Sequence, residues 1–258
     1  MQSDCFDLSG KTALVTGSSS GLGRALAVAL AERGAAVAGV ARRPQAETRR
    51  AVEAVGGRFF PLVADLRAPA AADGAIDAAV EALGRLDILV NNAGMIERAP
   101  AIDTTDESWE TTLELNLSAL FRLARSAARR FRAQGPDARG IRGKIINTAS
   151  VLSFQGGLFV PAYAAAKHGV VGLTRALANE WAGEGINVNA IAPGYFETDM
   201  TEAIRADPAR SASLLARIPA GRFGKPEDLA GVVVFLASSA SDYVHGETIA
   251  VDGGWLAR

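Results

Sequence analysis

Short apolar runs and longer amphipathic segments alternate along this chain. Thr12–Thr16 and Ala36–Ala41 are runs of small and β-branched residues with the length of a strand. Between them, residues 21–33 place Leu22, Leu26 and further apolar side chains on one helical face. The opening of the chain therefore predicts a strand, a helix and a second strand.

The same alternation continues through the rest of the chain. Further strands are predicted at 58–64, 86–91, 144–148, 186–191 and 248–251, and further helices at 45–55, 69–83, 106–134, 161–181 and 226–237. Strands that alternate with helices form parallel sheets, joined by right-handed crossovers. We therefore expect an α/β fold, with one doubly wound Rossmann-type domain over 1–258. Its seven-stranded sheet should be mostly parallel, with helices on both faces.

One segment departs from this alternation. Residues 193–224 form a long, mixed stretch that contains Pro208 and Pro219. A doubly wound sheet binds its ligand outside the carboxyl ends of its strands, and long excursions near that edge often cover the ligand. We expect a substrate lid around 195–224.

Composition removes several classes of function. Lys+Arg 27 against Asp+Glu 28 leave a formal net charge of −1, which argues against nucleic acid or an acidic membrane surface as the main partner. Cys5 is the single cysteine, so an internal disulfide is impossible and a cytoplasmic location is expected. No apolar run reaches the length of a membrane span, and the N-terminus does not resemble a signal peptide.

A glycine-rich turn follows the first predicted strand. It has the sequence TGSSSGLG at 16–23, so that Gly17 follows the strand and Gly21 and Gly23 open the helix. Glycines let the backbone approach a pyrophosphate, and a helix N-terminus offers free N–H groups. The spacing is G-x-x-x-G-x-G rather than G-x-G-x-x-G. The alternative is a tight strand-to-helix turn that binds nothing.

The end of the second predicted strand bears on the choice of cofactor. An acidic residue there would bind a ribose 2′-hydroxyl and repel a 2′-phosphate, but this strand ends in Arg42 and Arg43. Two guanidinium groups suit a phosphate, so NADP is favoured and NAD remains possible. The alternative is that both arginines are solvated surface charges.

Tyr163 and Lys167 stand four residues apart on a predicted helix and so share one face. A free tyrosine is a poor base at neutral pH, but a nearby ammonium lowers its pKa. Ser150, just after a predicted strand, could donate a hydrogen bond to a substrate oxygen. Asn116 lies within the longest predicted helix, where a buried amide needs partners.

These motifs together resemble the short-chain dehydrogenase/reductase family over essentially the whole chain, including Asn91-Asn92-Ala93-Gly94 and Pro193-Gly194. The resemblance implies an NAD(P)-dependent oxidoreductase that acts on CH–OH groups. It implies that Tyr163 is the general acid/base, that Lys167 modulates its pKa and that Ser150 polarises the substrate oxygen. Ser153 is a rival to Ser150, but Ser150 has the family spacing to the tyrosine. Asn116 would hold a water for a proton relay.

The resemblance also implies the cofactor contacts. Asp65 and Leu66 would contact the adenine, Asn92 to Gly94 would line its ribose, and Tyr163 and Lys167 would reach the nicotinamide ribose. The other implied contacts surround the phosphates and the nicotinamide: Gly17, Ser19, Ser20, Gly21, Leu22, Gly23, Arg42, Arg43, Pro193, Gly194 and Thr198. No metal ligand set is expected.

Within the family, the segments 152–157, 190–195 and 250–258 resemble the 2-deoxy-D-gluconate 3-dehydrogenases, also described as 2-dehydro-3-deoxy-D-gluconate 5-dehydrogenases. Residues 195–201 resemble gluconate 5-dehydrogenases. The resemblance implies a small-molecule substrate that is a sugar acid, and a homotetramer. Arg98 is our candidate for its carboxylate and Gln155 for a hydroxyl, although either could instead serve its own loop. A 3-oxoacyl-thioester reductase and a catalytically silent dinucleotide-binding protein remain alternatives.

Overall fold

Seven parallel strands form the centre of the protein. The computed structural model describes residues 4–258. Its strands are β1 (Thr12–Thr16), β2 (Ala36–Ala41), β3 (Phe59–Val63), β4 (Ile88–Asn91), β5 (Gly143–Thr148), β6 (Ile186–Pro193) and β7 (Thr248–Val251). They pair in the order β3-β2-β1-β4-β5-β6-β7, and every pair within the described range is parallel. The predicted α/β, Rossmann-type fold is confirmed.

Helices cover both faces of this sheet. They are α1 (Gly21–Glu32), α2 (Ala46–Ala54), α3 (Ala71–Leu83), α4 (Asp106–Leu113), α5 (Ala119–Gln134), α6 (Pro161–Trp181), α7 (Glu202–Arg205), α8 (Pro208–Leu215) and α9 (Ala230–Ala237). None of the helices described for residues 4–258 is long and apolar enough to cross a membrane.

Each face of the sheet has its own apolar core. Leu14 of β1 points into a core shared with α3, α5 and α6, where Phe131 is fully buried. Its neighbours Ala13 and Val15 point into a second core, formed with α1 and α9. Because both faces are covered, the central strands are apolar at nearly every position, as is usual for parallel sheets.

The strand order reverses direction between β1 and β4. From β1 the chain builds outward to β2 and β3, and then returns to add β4 on the other side. Such a switch point leaves a crevice at the carboxyl ends of the strands, because the connecting helices diverge to opposite faces there. The glycine-rich turn after β1 and the segments after β4, β5 and β6 therefore meet at one edge.

The longest predicted helix is interrupted. The sequence predicts one helix over 106–134, whereas the structure has α4, a π-helical turn at Glu114–Ser118 and then α5. Asn116 lies in this turn and is fully buried. π-helical turns are rare and are frequently found at functional sites. The apolar periodicity alone gave no sign of the interruption, because the turn keeps the helix direction.

Residues 195–224, the excursion after β6 that is expected to form a lid, have their two ends paired with each other. Phe196 and Gly224 form a parallel bridge, in which Glu197 N donates to Gly224 O at 2.8 Å and Gly224 N donates to Tyr195 O at 2.9 Å. Helices α7 and α8 lie between these points. The side chain of Arg258 donates to the main-chain O of Ala216 at 2.6 Å, just past the last residue of α8. The excursion is thus anchored by the C-terminal segment.

Candidate active site

A cavity of about 340 Å³ opens at the carboxyl edge of the sheet. It brings together every predicted catalytic and cofactor-binding residue. These are Gly17, Ser19, Ser20, Gly21, Leu22, Gly23, Arg42, Arg43, Asp65, Leu66, Asn92, Ala93, Gly94, Asn116, Ser150, Tyr163, Lys167, Pro193, Gly194 and Thr198. The predicted substrate residues Arg98 and Gln155 are not among the residues that line it.

The glycine-rich turn has space only for glycine at two positions. A Cβ on Gly17, which has φ +68°, would lie 2.9 Å from Cα of Ala93, and a Cβ on Gly23 would lie 2.3 Å from O of Gly17. Among the described residues, no side chain caps the N-terminus of α1, and its first turn contains no acidic residue. The first amide groups of α1 are therefore available to an anion, as a dinucleotide pyrophosphate requires.

Thr16 joins the ends of β1 and β4 beneath this turn. Its Oγ1 accepts hydrogen bonds of 2.9 Å from the backbone N of both Asn92 and Ala93. Nδ2 of Asn92 donates back to the main-chain O of Thr16 at 3.0 Å. The side-chain amide of Asn92 therefore already has a backbone acceptor, and Asn92, Ala93 and Gly94 all line the cavity.

The two arginines after β2 lie at the mouth of the cavity with mostly exposed side chains. Nη2 of Arg43 donates a 2.9 Å hydrogen bond to Oγ of Ser20. Nη1 of Arg42 lies 4.0 Å from Oδ2 of Asp65. Hydrogen bonds from Arg67 lower the pKa of Asp65 to about 2, so this carboxylate is ionised at neutral pH. Arg42 thus faces an ionised carboxylate, while the guanidinium of Arg43 lies beside Ser20, the residue before α1.

The tyrosine and lysine of α6 face the end of β5. Nζ of Lys167 lies 5.5 Å from the centroid of the Tyr163 ring and donates a 2.6 Å hydrogen bond to the main-chain O of Thr148. Ser150, two residues further on, is also buried. A hydroxyl, a phenol and an ammonium group therefore line the same cavity.

The two candidate serines differ in their partners. Oγ of Ser153 donates a 2.7 Å hydrogen bond to the main-chain O of Lys167 and accepts one from N of Ser150 at 3.2 Å. Ser150 lines the cavity, and its Oγ accepts a bond of 3.1 Å from N of Leu152. The Ser153 hydroxyl proton is therefore committed to the backbone, whereas that of Ser150 can be donated to a ligand.

Burial controls the acidity of Tyr163 and Lys167. It raises the pKa of Tyr163 to about 12, although Ser150 and the Arg98 guanidinium favour the phenolate and act in the opposite direction. Burial also lowers the pKa of Lys167 to about 8. The sequence predicts a lowered tyrosine pKa. The structure gives the opposite direction, because removal of the phenol from water outweighs the nearby positive charge.

Asn116 connects the π-helical turn to the segment after β4. Its Nδ2 donates 2.9 Å hydrogen bonds to the main-chain O of Met95 and of Thr112, and its Oδ1 accepts one of 3.3 Å from N of Met95. A Cβ on Gly94 would lie only 2.7 Å from Oδ1 of Asn116. The amide is satisfied by the backbone, so it holds the cavity wall against the helix.

Arg98 lies on the segment that follows β4. Its pKa is lowered by burial and by Arg210 of α8, while Tyr195 and Tyr163 favour its charged form. The Arg98 guanidinium in turn favours the phenolate form of Tyr163 and so acts to lower its pKa. Gln155 is half-buried in the loop after β5.

Comparison with known proteins gives a consistent result. The family model described as Enoyl-(Acyl carrier protein) reductase matches residues 17–256. The 2-dehydro-3-deoxy-D-gluconate 5-dehydrogenase of Escherichia coli (strain K12) is 53% identical over 253 residues, which cover 98% of each chain. The chain belongs to the short-chain dehydrogenase/reductase family. The expectation of an oxidoreductase of this family is confirmed.

Two solved structures of the family superpose closely. One is an Agrobacterium tumefaciens protein described as a candidate 2-deoxy-D-gluconate 3-dehydrogenase with bound NADP. It is 52% identical with a TM-score of 0.92, and the match covers 99% of this chain and 100% of that chain. The other is a candidate NAD(P)-dependent gluconate 5-dehydrogenase from Beutenbergia cavernae with NADP at low occupancy. It is 49% identical with a TM-score of 0.92 and the same coverage.

The sequence motifs of this short-chain dehydrogenase missed part of the cavity wall. The missed residues adjoin predicted ones along the chain, so extension of each motif by one or two positions would have found most of them. They are Val40, Ala41, Ala64, Leu115, Thr148, Ala149, Phe196, Asp199, Met200 and Thr201. Within residues 4–258, no group of three His, Cys, Asp or Glu side chains could hold a metal ion.

Proposed function

We propose that this protein is an NADP(H)-dependent dehydrogenase that transfers a hydride between its cofactor and a secondary alcohol or ketone of a sugar acid. The sugar acid would be of the 2-deoxy-gluconate or 3-deoxy-keto-gluconate type, as the names of its relatives suggest. The observation that carries the proposal is the meeting of Ser150, Tyr163 and Lys167 with the glycine-rich turn in one cavity.

The residues present suit a dinucleotide. Gly17 and Gly23 leave no space for a Cβ, and the first amides of α1 are uncapped among the described residues, as a pyrophosphate requires. Arg42 and Arg43 would bind a 2′-phosphate, and two related structures were crystallised with NADP. When bound, the nicotinamide supplies the carbon that gives or takes the hydride.

Tyr163 would carry the proton of the reaction. In the direction of ketone reduction, its phenol donates a proton to the substrate oxygen as that oxygen becomes a hydroxyl. In the direction of oxidation, its phenolate takes the proton back. The raised pKa of Tyr163 suits the acid role, and the Lys167 ammonium would stabilise the phenolate that remains. Ser150 would donate a hydrogen bond to the same oxygen.

Proton exchange with solvent would pass through Lys167. Because the side chain of Asn116 is already bonded to Met95 and Thr112, a relay water would be held by the main chain of the π-helical turn. Asn116 would then act by keeping that turn in place.

Arg98 would bind the carboxylate of the sugar acid. It lies outside the lining of the cofactor cavity but interacts electrostatically with Tyr163 and Tyr195, so an anion bound there would lie close to the reacting oxygen. Gln155, in the loop after β5, would bind a substrate hydroxyl. The excursion 195–224 would cover the substrate as a lid.

A substrate panel tests this proposal. Sugar acids, their keto forms and 3-oxoacyl thioesters would be followed at the nicotinamide absorbance with NADP(H) and with NAD(H). We expect the highest kcat/KM with a deoxy-sugar acid and NADP(H), and loss of turnover in Tyr163→Phe. Highest activity on gluconate or on a 3-oxoacyl thioester would select one of the alternatives instead. Relatives named 3-oxoacyl-[acyl-carrier-protein] reductase are more distant, at 40% identity for that of Vibrio cholerae.

Two further expectations are part of this proposal. A homotetramer follows from the family resemblance, and sedimentation at micromolar concentration would test it. A cytoplasmic location is suggested by the single exposed cysteine, Cys5, and cell fractionation would test it.

A further inference from the structure

Three side chains meet at the outer end of the cavity, where the glycine-rich turn faces the excursion after β6. Nη2 of Arg43 donates a 2.9 Å hydrogen bond to Oγ of Ser20. The same Oγ donates a 3.3 Å hydrogen bond to Oδ2 of Asp199. The Asp199 carboxylate also lies 3.9 Å from Nη2 of Arg43. The Asp199 carboxylate therefore contacts both the Ser20 hydroxyl and the Arg43 guanidinium. All three residues line the cavity.

The backbone holds Asp199 in this position. Asp199 is the first residue of a short 3₁₀ turn, Asp199–Thr201. Backbone N of Thr201 donates a 3.1 Å hydrogen bond to O of Thr198 there. Thr198 packs against the glycine-rich turn, since a Cβ on Gly21 would lie 3.4 Å from its Cγ2. The contact with Ser20 and Arg43 thus follows from the path of the chain.

Ser20 and Arg43 are also the groups that a 2′-phosphate would use. Ser20 precedes α1, where free amides and the helix dipole favour an anion, and Arg43 adds a full positive charge. A carboxylate and a phosphate at the same guanidinium repel each other and compete for the same donors. NAD has a hydroxyl in place of this phosphate and would meet no such repulsion.

We infer that Asp199 limits the preference of this enzyme for NADP over NAD, as an internal anion that competes with the 2′-phosphate of NADP for Ser20 and Arg43. The inference rests on the proposed use of the cavity by a nicotinamide dinucleotide. It makes Asp199 a specificity-determining residue, and it means that binding of NADP displaces the first turn of the excursion from the glycine-rich turn. NAD leaves the Asp199 contact in place.

The test is the binding of NADPH and NADH to the wild type, Asp199→Asn and Glu202→Gln, measured by isothermal titration calorimetry. Glu202→Gln is the matched control because it removes one exposed negative charge from the same excursion, four residues from Thr198. Asp199→Asn is expected to tighten NADPH binding by about threefold to tenfold, with NADH binding unchanged within about twofold. Glu202→Gln is expected to change neither dissociation constant by more than about twofold.

A second comparison separates competition from a general loss of negative charge. If Asp199 acts mainly at Arg43, then the gain in NADPH binding from Asp199→Asn should be smaller in an Arg43→Ala background, where only the contact with Ser20 remains. The gain in NADPH affinity of the Asp199→Asn variant should also shrink to less than about twofold at about 0.5 M salt, because Asp199 and Arg43 are exposed and salt screens their charges.

Unchanged or weaker NADPH binding in Asp199→Asn overturns the inference, as does an equal gain for NADH or for Glu202→Gln. Failure of the wild type to bind either dinucleotide is a different result, since it refutes the proposed function itself. Tighter wild-type binding of NADH than of NADPH refutes only the assignment of NADP as the preferred cofactor. The effect of Asp199→Asn on the ratio of the two dissociation constants still decides the role of Asp199.

Discussion

Nζ of Lys167 donates a 2.6 Å hydrogen bond to the main-chain O of Thr148, the last residue of β5. The lysine is 3% exposed. This contact joins α6 to the strand that leads to Ser150. It also holds an ammonium group in a place where burial lowers its pKa to about 8.

Replacement of this lysine should stabilise the protein while it removes activity. In the unfolded chain the lysine pKa is near its ordinary value, so below pH 8 both states are charged and the cost of burial is paid in full. We expect Lys167→Met to raise the free energy of unfolding by about 2 kcal/mol at pH 7.

The advantage of Lys167→Met should narrow as pH rises from 8 towards 10, because the native wild type then loses the proton that its unfolded state keeps. Urea unfolding of the wild type and of Lys167→Met at pH 7 and pH 10 measures the difference in their free energies of unfolding. Lys225→Met, at an exposed lysine, is the control and should change the free energy by less than about 0.5 kcal/mol. Equal or lower stability of Lys167→Met at pH 7 would contradict this account.

Tyr163→Phe should abolish proton transfer without loss of the cofactor site. The phenyl ring keeps its packing near Lys167, but no hydroxyl remains at the reacting oxygen. We expect kcat to fall by about 10³-fold, with the dissociation constant for the cofactor changed by less than about threefold. Tyr243→Phe, at a side chain that is 99% exposed, should behave as wild type. Retention of full activity in Tyr163→Phe would refute the mechanism.

Arg43→Ala should weaken the use of NADP selectively. Loss of a charge-assisted hydrogen bond to phosphate costs about 1.5–3 kcal/mol, which corresponds to a fall in kcat/KM of about 10-fold to 100-fold. The value for NAD should stay within about twofold, because NAD has no phosphate at this place. Steady-state kinetics with NADP and with NAD measures the effect, and the Arg42→Ala variant is measured in parallel. A preference for NAD in the wild type that persists in Arg42→Ala would refute the assignment of NADP.

Arg98→Ala tests the carboxylate site. If the guanidinium binds the sugar-acid carboxylate, KM for the acid should rise by about 10-fold or more, whereas a neutral polyol of the same length should react as before. Arg129→Ala, at an exposed position of α5, is a charge-matched control. An unchanged KM for the acid would remove Arg98 from the site.

Gly23→Ala should damage the cofactor site and the fold together. The new Cβ would lie 2.3 Å from O of Gly17 and 2.6 Å from Nδ2 of Asn92, so the turn must move. We expect a loss of about 1–3 kcal/mol in stability and loss of dinucleotide binding. Gly74→Ala on α3, where a Cβ meets open space, should instead be neutral or stabilising by up to about 1 kcal/mol. Chemical unfolding and calorimetry would give both quantities.

The order of strands and helices could be predicted from the chain because local periodicity reports which faces are buried. The apolar runs at β1 and β2 and the helical stripe with Leu26 between them require a parallel, doubly covered sheet. The same holds for the cavity. Motifs after β1, β4 and β5 must meet, because carboxyl ends of parallel strands share one edge of the sheet.

Other features depended on contacts between distant parts of the chain. Asn116 in the π-helical turn donates a hydrogen bond to O of Met95 and accepts one from its N, and the Tyr163 pKa depends on how completely the phenol is removed from water. The choice between Ser150 and Ser153 depended on which hydroxyl already had a backbone acceptor.

Asp199 shows most clearly that contacts between distant segments cannot be predicted from the sequence alone. It meets Ser20 across 179 positions of sequence, through an excursion whose path no local periodicity describes. The amino-acid sequence by itself determined the fold, the family and the catalytic and cofactor-binding motifs that meet at the cavity, because these follow from short-range patterns. Only the tertiary structure decided how those residues share protons and charge, since burial and close approach arise after distant segments have packed together.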